Sequence, residues 1–292
     1  MDIVITFVNG LDPLWQKDYE QYTNTPILEK RFRDWDTLRY LFRGIEVNMP
    51  FIRKVHLVVA RDSQVPEWVN RDEVHVVLHE DIIPQEYLPT FNSNTIEMHM
   101  HRIEDLDEEY LYFNDDVFPV KQCRPTDFFR GGKGVIGISH HFLVTNMFKR
   151  ICRNSDRLAR QALGLKSAWR FVRPQHICAP MLRSENERAY NLVKGEILDS
   201  LTRVRSAQNI TQYFYTDFLY LQGKIIPERI SRRHFSVGVA TAKQLQEFIS
   251  QPTRKLMCVN DVHLSEERYL SLRTALHEAF EGRFSQKSRF EK

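Results

Sequence analysis

The sequence predicts an α/β protein: a mainly parallel sheet flanked by helices, with a helical C-terminal portion. Short apolar, β-branched runs recur at residues 2–8, 54–59 and 74–78, each ended by turn-forming residues. Helical stretches alternate with them, and that alternation favours parallel strand pairing. Beyond residue 140 longer amphipathic stretches take over, at about 185–201, 213–221 and 265–280. No repeat, low-complexity stretch or clean linker interrupts the 292 residues. They read as one domain, with an α/β half over 1–140 and a mainly helical half over 141–292 that completes it.

Composition narrows the class. With 42% hydrophobic and 27% charged residues the chain can bury a sizeable core, which excludes a disordered tail. Its 41 Lys and Arg against 38 Asp and Glu leave a net charge of +3. That excess is too slight to point to nucleic acid, and it suits a phosphorylated substrate or an anionic membrane surface equally. The cysteines Cys123, Cys152, Cys178 and Cys258 stand far apart and form no Cys-x-x-Cys pair, so buried free thiols in a reducing compartment are expected. The apolar start, Met1 to Val8, is too short for a signal peptide, and no run of eighteen apolar residues occurs. The expected location is the cytoplasm.

The first strand, residues 2–8, is broken by Asn9-Gly10-Leu11-Asp12-Pro13. Such a loop is either an ordinary strand-to-helix turn or a cradle for a nucleotide base or ribose. Arg33-Asp34 then leads into a helix whose Leu38, Leu41, Phe42 and Ile45 share one face, with Asp34 or Asp36 as its expected cap. Arg33, Arg39 and Arg43 fall off that stripe. Two further strands, 54–59 and 74–78, lead to His79-Glu80-Asp81. A helix over 94–104 is expected next, with Asn94, Glu97 and His101 along one face and Ile96, Met100 and Ile103 packed on the sheet.

The apolar run Glu109 to Tyr112 ends in Phe113-Asn114-Asp115-Asp116-Val117-Phe118. Asn-Asp-Asp opens a turn well. Alternatively, adjacent carboxylates at a strand end, costly in a core, become favourable under a hard divalent cation. Both readings stand on these residues alone. Gly131-Gly132-Lys133-Gly134 lacks P-loop spacing and reads as a hairpin. Residues 141–173 are rich in Lys and Arg, either a solvated helical face or a contact for an anionic acceptor or membrane surface. Pro174-Gln175-His176-Ile177 is an extended approach to a histidine. Near the end, Lys255 to Val259 forms a strand finishing on Asn260-Asp261, an echo of Asn114-Asp115, and the basic tail after Gly282 is expected to fray.

Taken together these stretches resemble the Stealth family of sugar-phosphate transferases. The opening Asp2 to Pro13 is similar to the family's first block, with Phe7 where Trp is usual. The second block matches at length: Arg33-Asp34, Leu38-Arg39-Tyr40, Gln64-Val65-Pro66, His79-Glu80-Asp81, Leu88 to Ser93, Ile96-Glu97, His101-Arg102-Ile103 and Asn114 to Phe118. Trp35 stands where Asn is common, and Arg61-Asp62-Ser63 departs from the usual turn. Pro174 to His176 with Arg205-Ser206 resemble the third block, and Asn260-Asp261 the short fourth.

The resemblance implies a nucleotide-sugar-transferase-like fold and transfer of a hexose 1-phosphate from a UDP-sugar to a hydroxyl of a growing polysaccharide or lipid-linked glycan. A phosphodiester forms, UMP leaves, and the setting is capsule or exopolysaccharide synthesis at the inner face of the plasma membrane. It implies Mg²⁺ or Mn²⁺ on Asp115, Asp116 and Asp261, Arg205 against the developing phosphate charge, and His176 as base, since histidine titrates near neutrality. Asn9, Asp12, Arg33, Asp34 and Arg39 are assigned to the donor nucleotide, and Asn92, Glu97, His101 and Arg102 to the sugar phosphate. Two other classes remain open: a conventional metal-dependent glycosyltransferase releasing UDP, and a non-catalytic glycan- or nucleotide-binding module.

Overall fold

A computed structural model of the chain describes residues 1–24, 26–27 and 32–292. The chain is α/β. Strands β1 (Asp2–Thr6), β2 (Val55–Val59), β3 (Val74–Leu78), β4 (Glu109–Asn114) and β10 (Ala179–Leu182) form a sheet in the order β10-β4-β1-β2-β3. Strand β10 runs antiparallel to β4, pairing Ala179 with Tyr112 and Leu182 with Glu109, so the sheet is mixed. Every residue of β2 is buried, which explains its unbroken apolar run apart from His56.

The described residues separate into two compact units, each built from discontinuous stretches. One comprises Met1–Val4, Val77–Tyr112 and Pro125–Ile230; the other comprises Ile5–Val76, Phe113–Arg124 and Ser231–Lys292.

In the second of these, β5 (Val117–Pro119), β12 (Arg232–Ser236) and β13 (Leu256–Asn260) form a sheet ordered β12-β13-β5, with β12 parallel to β13 and β5 antiparallel to it. The helix Leu38–Asn48 packs on β5. Gly44 makes the approach possible, since a Cβ there would lie 2.8 Å from the Pro119 carbonyl oxygen. Neither Asp34 nor Asp36 caps this helix; Thr37 occupies the cap position without a side-chain bond, and Asp36 adopts φ 53° in the turn before it. The ring of Tyr40 stacks on Phe280 of the closing helix Glu266–Arg283, with centroids 5.4 Å apart.

The tail after Gly282 does not fray. Phe284, Ser288, Phe290 and Glu291 are buried, and the Glu291 carboxylate takes two parallel hydrogen bonds from the buried Arg43 guanidinium, at 2.9 and 3.0 Å. Arginine off the apolar stripe is here a core ion pair, a partner that lies 248 residues away and so leaves no local signal.

In the other unit, β6 (Phe129–Arg130) and β7 (Lys133–Val135) make the expected hairpin around Gly131 and Gly132, both at positive φ. Strand β11 (Ile225–Ile226) pairs parallel with β7, and β8 (Ile138–His141) pairs antiparallel with β9 (Phe171–Pro174). The helix Met147–Ala162 lies against the aromatic helix Tyr213–Leu221, around a cluster of Cys152, Phe171 and Tyr213. Instead of one helix over 94–104 the chain forms a short helix, Ser93–Glu97, and a 3-10 turn at Met100–Arg102. The stretch expected at 185–201 is likewise two helices, Arg183–Leu192 and Lys194–Ser200. All four cysteines are buried and unpaired by disulfides. Among the described residues no helix is long and apolar enough to cross a membrane.

Candidate active site

Each unit carries its own set of the expected site residues. In the unit containing Ile5–Val76, the turn Asn114–Asp116 joins β4 to β5 and brings carboxylates into one group. Asp115 is half-buried. Burial, and then the negative charges of Asp116 and Asp34, push its carboxyl up to about 7. Asp116 is raised to about 6, again by burial first, with Asp261 adding repulsion. The Cys258 thiol, 3.8 Å away, donates to Asp116 Oδ2 and offsets part of the rise, whereas Oδ1 is buried with no hydrogen-bond partner among the described residues. Asp34 is raised by burial, and the charge of Asp36 adds to the rise. Four like charges held this close, one with an orphaned oxygen, are unstable unless protons or a cation balance them.

The scaffold around these carboxylates is aromatic. Trp35 Nε1 donates to Asp261 Oδ2 at 3.0 Å, and the Val262 amide donates to Oδ1 at 2.6 Å. The backbone of Asp34 and Trp35 is pinned to the closing helix: Tyr269 Oη donates to the Asp34 carbonyl at 2.7 Å, and His277 Nε2 lies 2.8 Å from that of Trp35. The guanidinium of Arg33 sits 4.5 Å over the Tyr269 ring, and that of Arg39 lies 5.3 Å over Trp68. Trp35, the departure from the family's common Asn, therefore orients one of the carboxylates.

The loop after β1 is held by Gln64, which is buried. Gln64 Oε1 accepts from the Asn9 amide at 2.7 Å, and Nε2 donates to Asp12 Oδ2 at 2.7 Å. Ser63 Oγ donates to the same oxygen at 2.8 Å, while Asp12 Oδ1 caps the helix Pro13–Tyr22 through the Leu14 amide. Burial alone would raise the Asp12 carboxyl, but the hydrogen bonds from Gln64, Ser63 and the Leu14 and Trp15 amides together outweigh it and hold it below its ordinary value. Gly10 is required here, because a Cβ would lie 2.2 Å from the Phe32 carbonyl oxygen. Asn9 Oδ1 accepts from Leu11 N at 2.9 Å, so both loop residues assigned to the nucleotide also build the loop.

In the other unit, His176 is half-buried in the connection between β9 and β10. Its neighbour Gln175 fixes that connection, exchanging hydrogen bonds with the Ile230 backbone at 3.0 and 3.1 Å and donating its amide to Gly137 O at 2.7 Å. Arg205 Nη2 donates to Ser93 Oγ at 2.6 Å. The loop bearing Arg205 is tied by a buried amide pair: Asn92 Nδ2 donates to Asn209 Oδ1 at 3.0 Å, which also accepts from Ser206 N at 2.7 Å. Asn92 caps the helix Ser93–Glu97 as well. Asn209 has no counterpart in the sequence reading, because an amide locking a loop from inside looks like any loop asparagine.

Glu97 and His101 lie inside this unit. Glu97 Oε2 accepts from Thr211 Oγ1 at 2.7 Å and from the Gln212 amide at 2.9 Å, tying the entry to the aromatic helix. Burial, and then the positive field of its neighbours His99, Arg102 and Arg183, push His101 down to about 3, and burial takes His79 to about 4. Both are neutral. Arg102 is exposed, its guanidinium 5.2 Å over the Tyr190 ring.

Comparison with known proteins decides the family. Residues 31–136 match Stealth protein CR2, conserved region 2. The capsular polysaccharide phosphotransferase WcwK of Streptococcus pneumoniae is 30% identical over 309 residues, covering 90% of this chain and 91% of the relative. The receptor polysaccharide phosphotransferase WefC of Streptococcus oralis is also 30% identical, over 89% of this chain and 90% of its own. The chain belongs to the Stealth family. It is accordingly a transferase of phosphorus-containing groups. Among solved structures, a galactosyltransferase LgtC in complex with donor and acceptor sugar analogues aligns over 97% of this Stealth chain and all of its own, at 12% identity and a TM-score of 0.37.

Proposed function

We propose that this Stealth protein transfers a hexose 1-phosphate from a UDP-sugar to a hydroxyl of a growing capsular or extracellular polysaccharide, forming a phosphodiester and releasing UMP. The observation that carries the reading is the orphaned, buried Oδ1 of Asp116 within the carboxylate group of Asp34, Asp115 and Asp261. The carboxylate oxygens of this group favour a hard ion such as Mg²⁺ or Mn²⁺, with the Cys258 thiol, which donates to Asp116 Oδ2, beside them. Asp115, Asp116 and Asp261 would hold the ion, which supplies positive charge to the donor pyrophosphate.

The chain's own groups do the rest. The loop Asn9–Asp12, braced by Gln64, receives the nucleotide, and Arg33 and Arg39 add positive charge for it. Arg205, steadied by Ser93 and the Asn92–Asn209 pair, offsets the charge that gathers on non-bridging phosphate oxygens as the sugar-bearing phosphorus is attacked. His176 accepts the proton of the attacking hydroxyl. Asn92 and Glu97 act by shaping the surrounding backbone, and Arg102 contributes exposed positive charge. A UDP-releasing glycosyltransferase would need the same donor site, and the phosphotransferase relatives favour the phosphorus as the point of attack.

The test removes the ion and the orphaned carboxylate separately. Chelator should abolish turnover, and Mg²⁺ or Mn²⁺ should restore it. Asp116→Asn should keep the native urea midpoint yet stay inactive after metal is returned. Full turnover in chelator, or an active Asp116→Asn enzyme, overturns the assignment.

A further inference from the structure

We propose that one end of the β8–β9 ladder is a docking surface for an anionic lipid bilayer. This inference is independent of the transfer reaction. The last pair of the ladder is His141 with Phe171, so Phe142-Leu143 leaves β8 and Trp169-Arg170 enters β9 at the same end. Trp169 is 87% exposed, Phe142 58% and Leu143 59%, large apolar side chains on the two segments that flank the last pair of the ladder. Contiguous exposed apolar surface marks an interaction site far more often than scattered residues do.

The segment is anchored rather than loose. Val144 and Phe148 turn inward onto the cluster of Cys152, Phe171 and Tyr213, and the Arg173 guanidinium lies 5.6 Å over the Phe148 ring. The outward set is therefore presented by a fixed inward set.

Charge decides the occupant. Residues 142–170 hold two lysines, Lys149 and Lys166, and five arginines, Arg150, Arg153, Arg157, Arg160 and Arg170, against one carboxylate. That carboxylate, Asp156, is 1% exposed and accepts from Arg160 Nε at 2.9 Å, so the solvent meets cations. The field reaches the ladder end: His141 is held below its ordinary pKa by burial first and then by Arg173, Lys149 and His140. An apolar tip bearing tryptophan, on a stretch whose exposed charges are lysine and arginine, matches the boundary between acyl chains and anionic headgroups. A second copy of the same surface would meet its own positive charge. A glycan would find aliphatic Leu143 and cations, and the exposed amides of this stretch are already engaged, Asn146 in capping the helix through Lys149 N and Gln161 with Glu196.

The experiment is vesicle co-sedimentation of the full chain, with tryptophan emission read in parallel. Vesicles of phosphatidylglycerol and phosphatidylcholine in equal parts should bind the protein and shift its emission to the blue; pure phosphatidylcholine vesicles should not, and added salt should weaken binding. Trp169→Ala and the pair Phe142→Ser with Leu143→Ser should each weaken binding by about tenfold or more. The pair Lys166→Glu with Arg170→Glu should do the same and flatten the salt dependence, while all variants keep the native urea midpoint. Trp169→Phe should retain binding and lose the blue shift. The proposal is overturned if the wild-type chain ignores anionic vesicles, if it binds neutral ones equally, or if Trp169→Ala binds as wild type. Wild-type dimers that dissociate in the variants, or Trp169 emission answering to oligosaccharide instead of vesicles, would overturn it too.

Discussion

Replacing Glu291 by Gln removes one charge from the tail clasp and leaves the shape intact. Arg43 is then buried, its side chain 5% exposed, facing an amide that can accept one of the two hydrogen bonds it made. Breaking a buried pair from one side costs about 3–5 kcal/mol. Arg43 retains the Phe284 carbonyl at 2.8 Å and the half-exposed Glu281 at 3.0 Å, so the lower end, about 3 kcal/mol, is expected. For a urea slope of about 3 kcal/mol per molar, the midpoint falls by about 1 M. Glu291 is raised by burial but lowered further by Arg43, to a net value below its ordinary one. Its contribution is therefore present above the ordinary carboxyl range and lost as the pH falls through the depressed value. Urea titration at neutral pH and at low pH measures both effects. Arg43→Met with Glu291→Leu should recover most of the loss, since no lone charge stays buried. A midpoint shift of less than about 0.3 M for Glu291→Gln would mean that the clasp contributes no more than an exposed pair.

Three further outcomes follow from the same reasoning. Asp217 is fully buried, neither carboxylate oxygen has a partner among the described residues, and burial with the charge of Asp156 raises it well above its ordinary value. A raised acid loses stability as pH climbs past its unfolded value, so the gap in stability between Asp217→Asn and wild type should grow in favour of the variant by about 1.4 kcal/mol per pH unit; urea midpoints at mildly acidic and mildly alkaline pH check this. Gly10→Ala, forced against the Phe32 carbonyl, should lose about 1–3 kcal/mol and raise KM for the donor more than it lowers kcat. Glu97→Ala, which strands the Gln212 amide, should cost about 1–3 kcal/mol, with Glu97→Gln recovering much of it; a Glu97→Gln variant of native stability and no turnover would instead make Glu97 a substrate contact.

Much of the fold was legible because it rests on local periodicity. The strands at 55–59 and 74–78 and the aromatic helix Tyr213–Leu221 lie where alternation and spacing put them. The acidic turn was legible too, since three turn-forming polar residues interrupt an otherwise buried strand pair. What stayed hidden depends on contacts distant in sequence. The tail looked frayed because its partner, Arg43, sits on a helix more than two hundred residues earlier. The surroundings of the polar stripe of Asn94, Glu97 and His101 were hidden for the same reason: Glu97 accepts from Thr211 and Gln212 just ahead of the aromatic helix, and the His101 ring lies near that of Tyr215. That the charge of Asp34 adds to that of Asp115 was hidden likewise, since the two lie far apart in the sequence. Exposure of Trp169 leaves no trace in a pattern that counts apolar residues as core.

Which atom the acceptor hydroxyl attacks, phosphorus or the anomeric carbon, decides the reaction class. Incubating the enzyme and Mg²⁺ with a panel of UDP-sugars and a capsular oligosaccharide, then separating the nucleotides and recording phosphorus NMR of the glycan, tests it directly. Attack at phosphorus should give UMP in step with a new phosphodiester resonance, both lost in His176→Ala and Arg205→Ala. UDP as the released nucleotide, with no phosphorus in the product, would contradict it.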